Sequence, residues 1–183
     1  MIRTEIKNTE NFSHVILDTN IIIEIKKILD ESVKDYRKFF NSLENNGLEP
    51  TITKTVYFEF LRSAEVSSVK GEREDYLDSI VEVGGELPLK ENYLEELTEI
   101  GNVYSNIGET DVEMGDYMIA FQLKTFYNNS ILATKNLKDF PEVLFNRKGY
   151  CFYDTLTREI DSFYFLEFNY KNYQEILSDV KSN

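Results

Sequence analysis

Short apolar runs alternate with longer amphipathic segments along this sequence, and that alternation constrains the fold more than any other feature. The clearest run is Val15-Ile16-Leu17, which is continuously apolar and ends at Asp18. Such a run is typical of a strand buried on both faces of a sheet. Strand-like runs that alternate with helical patterns form βαβ units around a parallel sheet. The sequence therefore predicts an α/β fold built on parallel strands.

Further strand-like and helical segments follow the first run. The predicted strands are residues 50–53, 86–89, 131–133 and 149–153, and the predicted helices include residues 55–64, 72–83 and 94–104 and a helix that carries Asp116. Beyond Asp154, the residues Tyr164, Leu166 and Phe168 alternate with polar residues, which suggests an added strand before a short helix near residues 172–180.

Length and composition indicate one domain without a membrane segment. A chain of 183 residues suits a single domain with a sizeable core. No stretch approaches the roughly 18 consecutive apolar residues of a membrane span, and residues 1–12 lack the apolar core of a signal peptide. The single cysteine, Cys151, cannot form an internal disulfide and fits a reducing compartment. We therefore expect a cytoplasmic protein.

The charge balance is strongly acidic. Twenty Lys and Arg residues against 33 Asp and Glu residues give a net charge of −13. Proteins that bind nucleic acid usually carry a basic face, so composition alone argues against such a partner. Any function on nucleic acid therefore needs another source of positive charge.

Three carboxylates lie where packing gives no reason for a charge. Asp18 ends the first buried strand, at the edge where open parallel sheets bind ligands, and Thr19 and Asn20 could orient its carboxylate. Glu59 and Asp116 each interrupt a mostly apolar helical segment. A buried carboxylate without a partner is costly, and one divalent cation would satisfy all three. Carboxylate oxygens suit Mg²⁺ or Mn²⁺.

These acids belong to an ordered set of motifs. The set comprises Asp18-Thr19-Asn20 after a strand, Glu59 on a helix, Gly115-Asp116 on a second helix, and Ala133-Thr134-Lys135-Asn136 with Asp139-Phe140. With these motifs in order over residues 14–155, the chain resembles the PIN-domain family, most of all the VapC-type toxins of toxin–antitoxin pairs. The resemblance implies a three-layer α/β/α fold with a central, parallel five-stranded sheet. Residues 1–183 would form a single domain, with a core of residues 14–155 and a C-terminal extension of residues 156–183.

The resemblance also implies metal-dependent endoribonuclease activity. Asp18, Glu59 and Asp116 correspond to the three core acids of the family and would hold Mg²⁺ or Mn²⁺. The metal would generate hydroxide from water and stabilise the charge on the phosphate during hydrolysis of the RNA phosphodiester bond. The implied partners are an RNA substrate, a small antitoxin protein and a second copy of the chain in a homodimer.

The fourth acidic position departs from the strictest family pattern. Asn136 stands where many members have Asp, and Asp139 follows three residues later. Either side chain, or neither, could contact a second metal. We count Asp139 among the candidate catalytic residues and treat Thr134 and Asn136 as supporting ones.

Cations and aromatic residues close to these motifs offer contacts for RNA. The candidate phosphate-binding residues flank the acids in sequence: Lys54, Arg62, Lys135 and Lys138. The aromatic-rich residues 163–173 could stack on bases, cover a sheet edge or form a dimer contact, and their alternation favours packing or an interface.

Two other classes of function compete with the ribonuclease. One is a PIN-fold module that binds RNA or protein without cutting, which the Asn136 departure and the acidic composition favour. The other is an enzyme with Asp at a strand end, such as a haloacid-dehalogenase-like phosphatase or a phosphoacceptor receiver. The phosphatase needs a second Asp two residues after the first, where this chain has Asn20. The receiver needs an acidic pair after its first strand, which is missing.

Overall fold

The computed structural model describes residues 2–31, 36–62, 67–81, 86–87, 92–154 and 160–182. In chain order the elements are β1 (Ile2–Ile6), β2 (His14–Leu17), α1 (Thr19–Glu31), α2 (Tyr36–Asn45), β3 (Glu49–Thr53), α3 (Lys54–Arg62), α4 (Ser67–Val81), β4 (Glu86–Leu87), α5 (Tyr93–Asn106), α6 (Met114–Thr125), β5 (Ser130–Thr134), β6 (Phe145–Asp154), β7 (Ile160–Phe168) and α7 (Tyr170–Ser182). Among these helices, none is both long and apolar enough to cross a membrane.

The described strands form one mixed sheet in the order β1-β6-β7-β5-β2-β3-β4. The pairs β5–β2, β2–β3 and β3–β4 are parallel, whereas β1–β6, β6–β7 and β5–β7 are antiparallel. The two-residue β4 pairs with β3 beyond the six longer strands. The predicted parallel five-stranded sheet is therefore wrong: parallel pairing is confined to one half of a larger sheet.

The spacing of β6 and β7 along the chain explains the antiparallel half. Only residues 155–159 separate the two strands, and a parallel pair needs a crossover of a dozen or more residues. Strand β7 then lies between β6 and β5. The segment expected as an extension of a parallel core therefore supplies a strand inside the sheet.

Most predicted elements are confirmed in place. The predicted strands at residues 50–53, 131–133 and 149–153 lie within β3, β5 and β6, and the alternating aromatic segment is β7. Residues 86 and 87 form β4, and the predicted residues 88 and 89 lie outside the described part of the chain, as do residues 63, 64, 82 and 83 of two predicted helices. Strand β1 has no counterpart among the predictions.

Helices pack on both faces of β7, and its aromatic residues form much of this core. Phe163 and Phe165 contact Phe39 of α2, with ring centroids 5.3 and 6.5 Å apart. On the other face, Phe168 contacts Tyr173 of α7, with ring centroids 5.4 Å apart. All five rings are buried. Their burial confirms packing as the favoured role of these aromatic residues.

The strand residues that precede the candidate acids are rigidly held. Val15, Ile16 and Leu17 of β2 are fully buried, and every residue of β5 is buried as well. Because β2, β3 and β5 are parallel neighbours, their carboxyl ends lie at the same edge of the sheet. That edge carries Asp18 and the amino end of α3, and the chain after β5 starts there.

Candidate functional site

Asp18 lies between β2 and α1 with its side chain almost fully buried, at 5% exposure. Its Oδ2 atom accepts hydrogen bonds from Thr134 Oγ1 and Asn20 Nδ2, both at 2.5 Å. Burial raises the pKa of the Asp18 carboxyl, and these hydrogen bonds offset that shift only in part. The structure therefore brings Thr134 and Asn20 to Asp18, as the sequence predicted.

Asn20 connects Asp18 to the end of β5. Its Oδ1 atom accepts a hydrogen bond from the Lys135 backbone N–H at 3.1 Å. Its Nδ2 atom lies 3.3 Å from Thr134 Oγ1 in addition to its bond with Asp18. Both ends of the Asn20 amide are thus used, which fixes its orientation and that of the carboxylate beside it.

Glu59 projects from α3 toward the start of α1 and α6. Its Oε2 atom accepts a hydrogen bond of 2.6 Å from Thr19 Oγ1. Its Oε1 atom lies against Gly115, so close that a Cβ atom on that residue would be 2.1 Å away. Helices α1, α3 and α6 therefore meet at this carboxylate, and Gly115 provides the space for it.

Asp116 lies in the first turn of α6, half-buried. Burial, and after it the negative charges of Asp18, Asp139 and Glu59, together raise the pKa of its carboxyl from 3.8 to about 7. Interactions between charges fall off with distance, so the three carboxylates that raise this pKa lie in the neighbourhood of Asp116. The four candidate acids therefore share one site, although they come from four separate segments.

The loop after β5 settles how Asn136 and Asp139 are related. Thr134 Oγ1 accepts a hydrogen bond from the Asn136 backbone N–H at 2.9 Å, and Asn136 Nδ2 donates to Asp139 Oδ2 at 2.5 Å. The hydroxyl of Tyr104 donates to the backbone carbonyl of Asp139 at 3.1 Å. Asn136 thus orients the Asp139 carboxylate, whose negative charge helps to raise the pKa of Asp116.

The four predicted phosphate-binding cations have different surroundings. Lys135 Nζ donates to Asp161 Oδ2 and, at 2.9 Å, to the Tyr153 hydroxyl, and it lies 3.9 Å from Glu24 Oε1. This ammonium group is paired with two carboxylates and links the end of β5 to α1, β6 and β7. Lys54, Arg62 and Lys138 are exposed, as a contact to a bound phosphate requires.

The donor set has the chemistry of a hard-cation site, but its arrangement is open. All four side chains offer carboxylate oxygens, and their mutual repulsion would be relieved by a divalent cation. Within the described residues, however, no three His, Cys, Asp or Glu side chains converge closely enough to hold a metal ion as they stand. Binding would therefore require the carboxylates to turn toward one another.

Three features of the site were missed from sequence. Gly115 belongs to the predicted motif Gly115-Asp116 without a role of its own, although a glycine at a helix start, directly before a candidate acid, signals a close approach. Tyr104 is the last residue of the predicted helix 94–104, yet Asp116 and Asp139 add to burial in raising the pKa of its phenol well above the ordinary value. The partners of Lys135 come from segments distant in sequence and left no local signal.

No protein-family model matches the chain, and no curated protein is significantly similar to it in sequence.

Proposed function

We propose that this protein is a metal-dependent endoribonuclease that hydrolyses RNA phosphodiester bonds at the site formed by Asp18, Glu59, Asp116 and Asp139. The observation that carries the proposal is the arrangement at the carboxyl edge of the parallel strands, where Asp18 is buried, Glu59 lies against Gly115, and burial together with the negative charges of Asp18, Asp139 and Glu59 raises the pKa of Asp116 to about 7. Clustering like charges costs stability, so a stable fold that retains them points to a function for the cluster.

Asp18, Glu59 and Asp116 would hold Mg²⁺ or Mn²⁺, with Asp139 beside them. When bound, such an ion supplies a hydroxide nucleophile from water and offsets the charge that builds up on the phosphate. Thr134, Asn20 and Thr19 orient the two most constrained carboxylates through the hydrogen bonds described above. Oriented ligands of this kind place reacting groups accurately without a rearrangement during the reaction.

The chain's own cations hold the substrate in this proposal. Lys54 and Arg62 at the two ends of α3, and Lys138 in the loop after β5, are exposed near the acidic edge. Lys135 is left out of this role because Asp161, Glu24 and Tyr153 already surround its ammonium group. Three exposed cations and a bound metal would supply the positive charge that RNA binding requires, although the net charge of the chain is −13.

The resemblance to VapC-type toxins also suggests a cellular role for the proposed enzyme. It implies that the enzyme is the toxin of a toxin–antitoxin pair, a homodimer neutralised by a small antitoxin. Expression of the chain from a tightly regulated promoter should arrest growth, and the Asp18→Asn variant should not. Growth arrest by both chains, or by neither, would remove the toxin role.

The direct test is cleavage of a pool of cellular RNA by the purified protein. We expect cleavage with Mg²⁺ or Mn²⁺, none with excess chelator, and a loss of roughly two orders of magnitude or more for Asp18→Asn, the usual scale for removing a group that stabilises a transition state. Glu44→Gln, an exposed carboxylate on α2, is the matched control and should cleave at the wild-type rate. Cleavage that survives both chelation and Asp18→Asn would sink the proposal.

A non-cleaving module that binds RNA or protein is the second candidate. Two observations favour it: Asn136 at the fourth position, and the open arrangement of the acids among the described residues. RNA binding without cleavage under any divalent-metal condition would select this alternative over the ribonuclease.

A further inference from the structure

Strand β1 is the end strand of the sheet and has a neighbour on only one side among the described strands. It pairs with β6 in an antiparallel register that sets Thr4 opposite Cys151. The outer side of an end strand carries a row of backbone N–H and carbonyl groups that can pair with a strand from another molecule. The motifs that resemble the PIN-domain family begin at residue 14, so β1 lies outside them.

Alternate residues of β1 direct their backbone groups to this open edge. The N–H of Lys7 donates to the carbonyl of Lys148 at 2.9 Å, which continues the register of β1 with β6. In an antiparallel pair, every second residue exchanges hydrogen bonds with the residue opposite. Glu5 and Arg3, two and four residues before Lys7, therefore bond to β6. The groups that face the open edge belong to the residues between and beside them, Ile2, Thr4 and Ile6.

The side chains of β1 divide between the two faces of the sheet, because successive side chains of a strand point to opposite faces. One face carries the uncharged side chains of Ile2, Thr4 and Ile6. On this face, Thr4 Oγ1 donates to Sγ of the buried Cys151 at 3.4 Å. The other face carries the two charged side chains, Arg3 at 68% exposure and Glu5 at 35%. Both charges are therefore accessible to a strand that pairs with β1.

Two copies of β1 can pair with each other in one register that suits both the backbone and the charges. Hydrogen bonds across the edge need outward-facing residues on both sides, so the register can shift only in steps of two residues. The central register sets Thr4 opposite Thr4 and Ile2 opposite Ile6. It also sets Arg3 opposite Glu5 of the other copy, twice because the pair is symmetric. A shift by one step either way sets Arg3 opposite Arg3 or Glu5 opposite Glu5, which is repulsive.

We propose that β1 binds β1 of a second copy of this chain, antiparallel and centred on Thr4, so that the sheets of the two copies join. The occupant is the chain itself because the strand is complementary to its own sequence. Charges on an end strand hinder pairing with an arbitrary strand, whereas Arg3 and Glu5 attract each other in this one register. The inference goes beyond the proposed ribonuclease and does not depend on it.

The joined edge lies far from the candidate acids. Strands β6, β7 and β5 separate β1 from β2, the strand that ends at Asp18. At about 4.8 Å between neighbouring strands, Asp18 is roughly 20 Å from the edge of the sheet that β1 forms. Pairing through β1 therefore leaves the acidic site of each copy uncovered.

Two charge-reversal variants test the pairing, with sedimentation velocity as the measurement. Arg3→Glu sets two carboxylates opposite each other in the dimer, and Glu5→Arg sets two guanidinium groups opposite each other. We expect each variant alone to dimerise with a Kd at least about tenfold above that of wild type. An equal mixture of the two should regain a dimer of wild-type affinity, because every carboxylate of one variant then meets a guanidinium of the other.

The matched controls make the same changes of charge at an exposed ion pair on α7. Lys171→Glu and Glu175→Arg should each dimerise as wild type does. A loss of association in these controls would show that the net charge, and not the facing pairs at β1, governs dimerisation, and would overturn the inference.

Two further measurements do not rely on charge. Thr4→Pro removes an N–H that faces the open edge, a position where an end strand tolerates proline. This variant should keep the circular dichroism spectrum of wild type and lose the dimer. In wild type, the Thr4 N–H should exchange with solvent more slowly above the Kd for dimerisation than below it. The Glu5 N–H, which bonds to β6, should be equally protected at both concentrations.

Three results would overturn the inference. They are a wild-type chain that stays monomeric up to its solubility limit, a dimer that persists in both Arg3→Glu and Thr4→Pro, and folded charge variants that do not associate when mixed. A persistent dimer would place the interface on another surface. None of these measurements involves RNA, so their outcome is distinct from success or failure of the ribonuclease proposal.

Discussion

At Gly115, a substitution should affect the candidate site much more than the stability of the fold. A Cβ atom at this position would be 2.1 Å from Glu59 Oε1, the mobile end of a flexible side chain. Gly115→Ala should therefore cost little stability, because Glu59 can turn away and alanine favours the helix by up to about 1 kcal/mol. The proposed ribonuclease activity should fall by at least about tenfold, because misplacing one catalytic group has effects of this size or larger.

Gly101 in α5 is the matched control, since nothing lies within 4 Å of the Cβ atom that a substitution would add. Gly101→Ala should raise the free energy of unfolding slightly and leave cleavage unchanged. Thermal unfolding and initial cleavage rates, measured on both variants, check the pair. Full activity in Gly115→Ala would mean that the position of Glu59 does not matter.

Among the strands and helices, a polar cluster joins the parallel and antiparallel halves of the sheet. It consists of Lys135 with Asp161, Tyr153 and Glu24, and we call it the Lys135 cluster. Burial would raise the pKa of Asp161, but the hydrogen bond from Lys135, with those from Ser162 and Tyr153, holds it below the ordinary value of 3.8. A carboxyl with a lowered folded-state pKa stabilises the protein above its unfolded pKa, and this contribution is lost as the pH falls through the folded value.

Asp161→Asn should therefore lower the free energy of unfolding by about 1 kcal/mol at pH 7, as expected for a partly exposed ion pair. The difference from wild type should shrink as the pH falls below 3.8 and vanish only below the lowered folded-state pKa, where Asp161 is protonated in the folded protein as well. Urea unfolding at neutral pH and below the lowered pKa measures it. Glu175→Gln, which removes the exposed pair with Lys171, should change neither value. A deficit that persists at low pH would show that packing, not charge, holds β7 here.

Strand β1 depends on a close approach of the backbone at Gly149. A Cβ atom there would be 2.1 Å from the Glu5 carbonyl oxygen, which belongs to the backbone and cannot turn away. Gly149→Ala should therefore push β1 away from β6 and destabilise the protein by about 1–3 kcal/mol, the usual cost of overpacking. A Tm equal to that of wild type would show that β1 contributes little to the folded state.

The positions of the helices and strands could be predicted from the sequence better than the pairing of the strands within the sheet. The run at Val15–Leu17 and the acids after it could be found because continuous burial and an interrupting charge are local signals. The pairing of β7 with β5 is not local: Leu166 pairs with Leu132, and no pattern within either segment encodes that choice. Strand β1 was missed because Arg3 and Glu5 are charged, which suits an edge strand but hides it.

The same distinction applies to the site. Asp18, Glu59 and Asp116 stand out because their neighbours are apolar, and Asn136 stands out by its departure from a motif. Lys135 is predicted as a phosphate contact because it flanks the acids in sequence, and the structure pairs its ammonium group with Asp161. Asp161 lies on a strand whose place in the sheet could not be predicted, so no signal in the sequence pointed to this ion pair.

For the whole molecule, the acidic site makes stability fall as the pH rises toward neutrality. The pKa of Asp116 is raised from 3.8 to about 7, first by burial, so the folded state binds more protons than the unfolded state between these values. In metal-free protein Asp116→Asn removes this penalty. At pH 8 the variant should be more stable than wild type by about 1 kcal/mol, discounted for the half-exposed carboxyl, or roughly 2–4 °C in Tm. A gap of the same size at pH 4 would contradict this origin.

A divalent metal should reverse that ranking. Mg²⁺ binds only the folded state in this proposal, so it should raise the Tm of wild type at pH 8 in proportion to log concentration once the site is saturated. Asp116→Asn should respond much less, and chelator should return wild type to its starting value. Scanning calorimetry with increasing Mg²⁺ checks this, and equal responses from both proteins would indicate nonspecific screening of the net charge of −13.

The position of β7 between β5 and β6 has a consequence for the nascent chain. Synthesis delivers β2, β3 and β5 with all four acids before residues 160–168 leave the ribosome. Until they do, one edge of β5 has no neighbour, and unpaired edges recruit strands from other molecules. Lys135 also lacks Asp161 during this interval. A pause in translation before residues 160–168 would therefore prolong the exposure of this edge and favour aggregation.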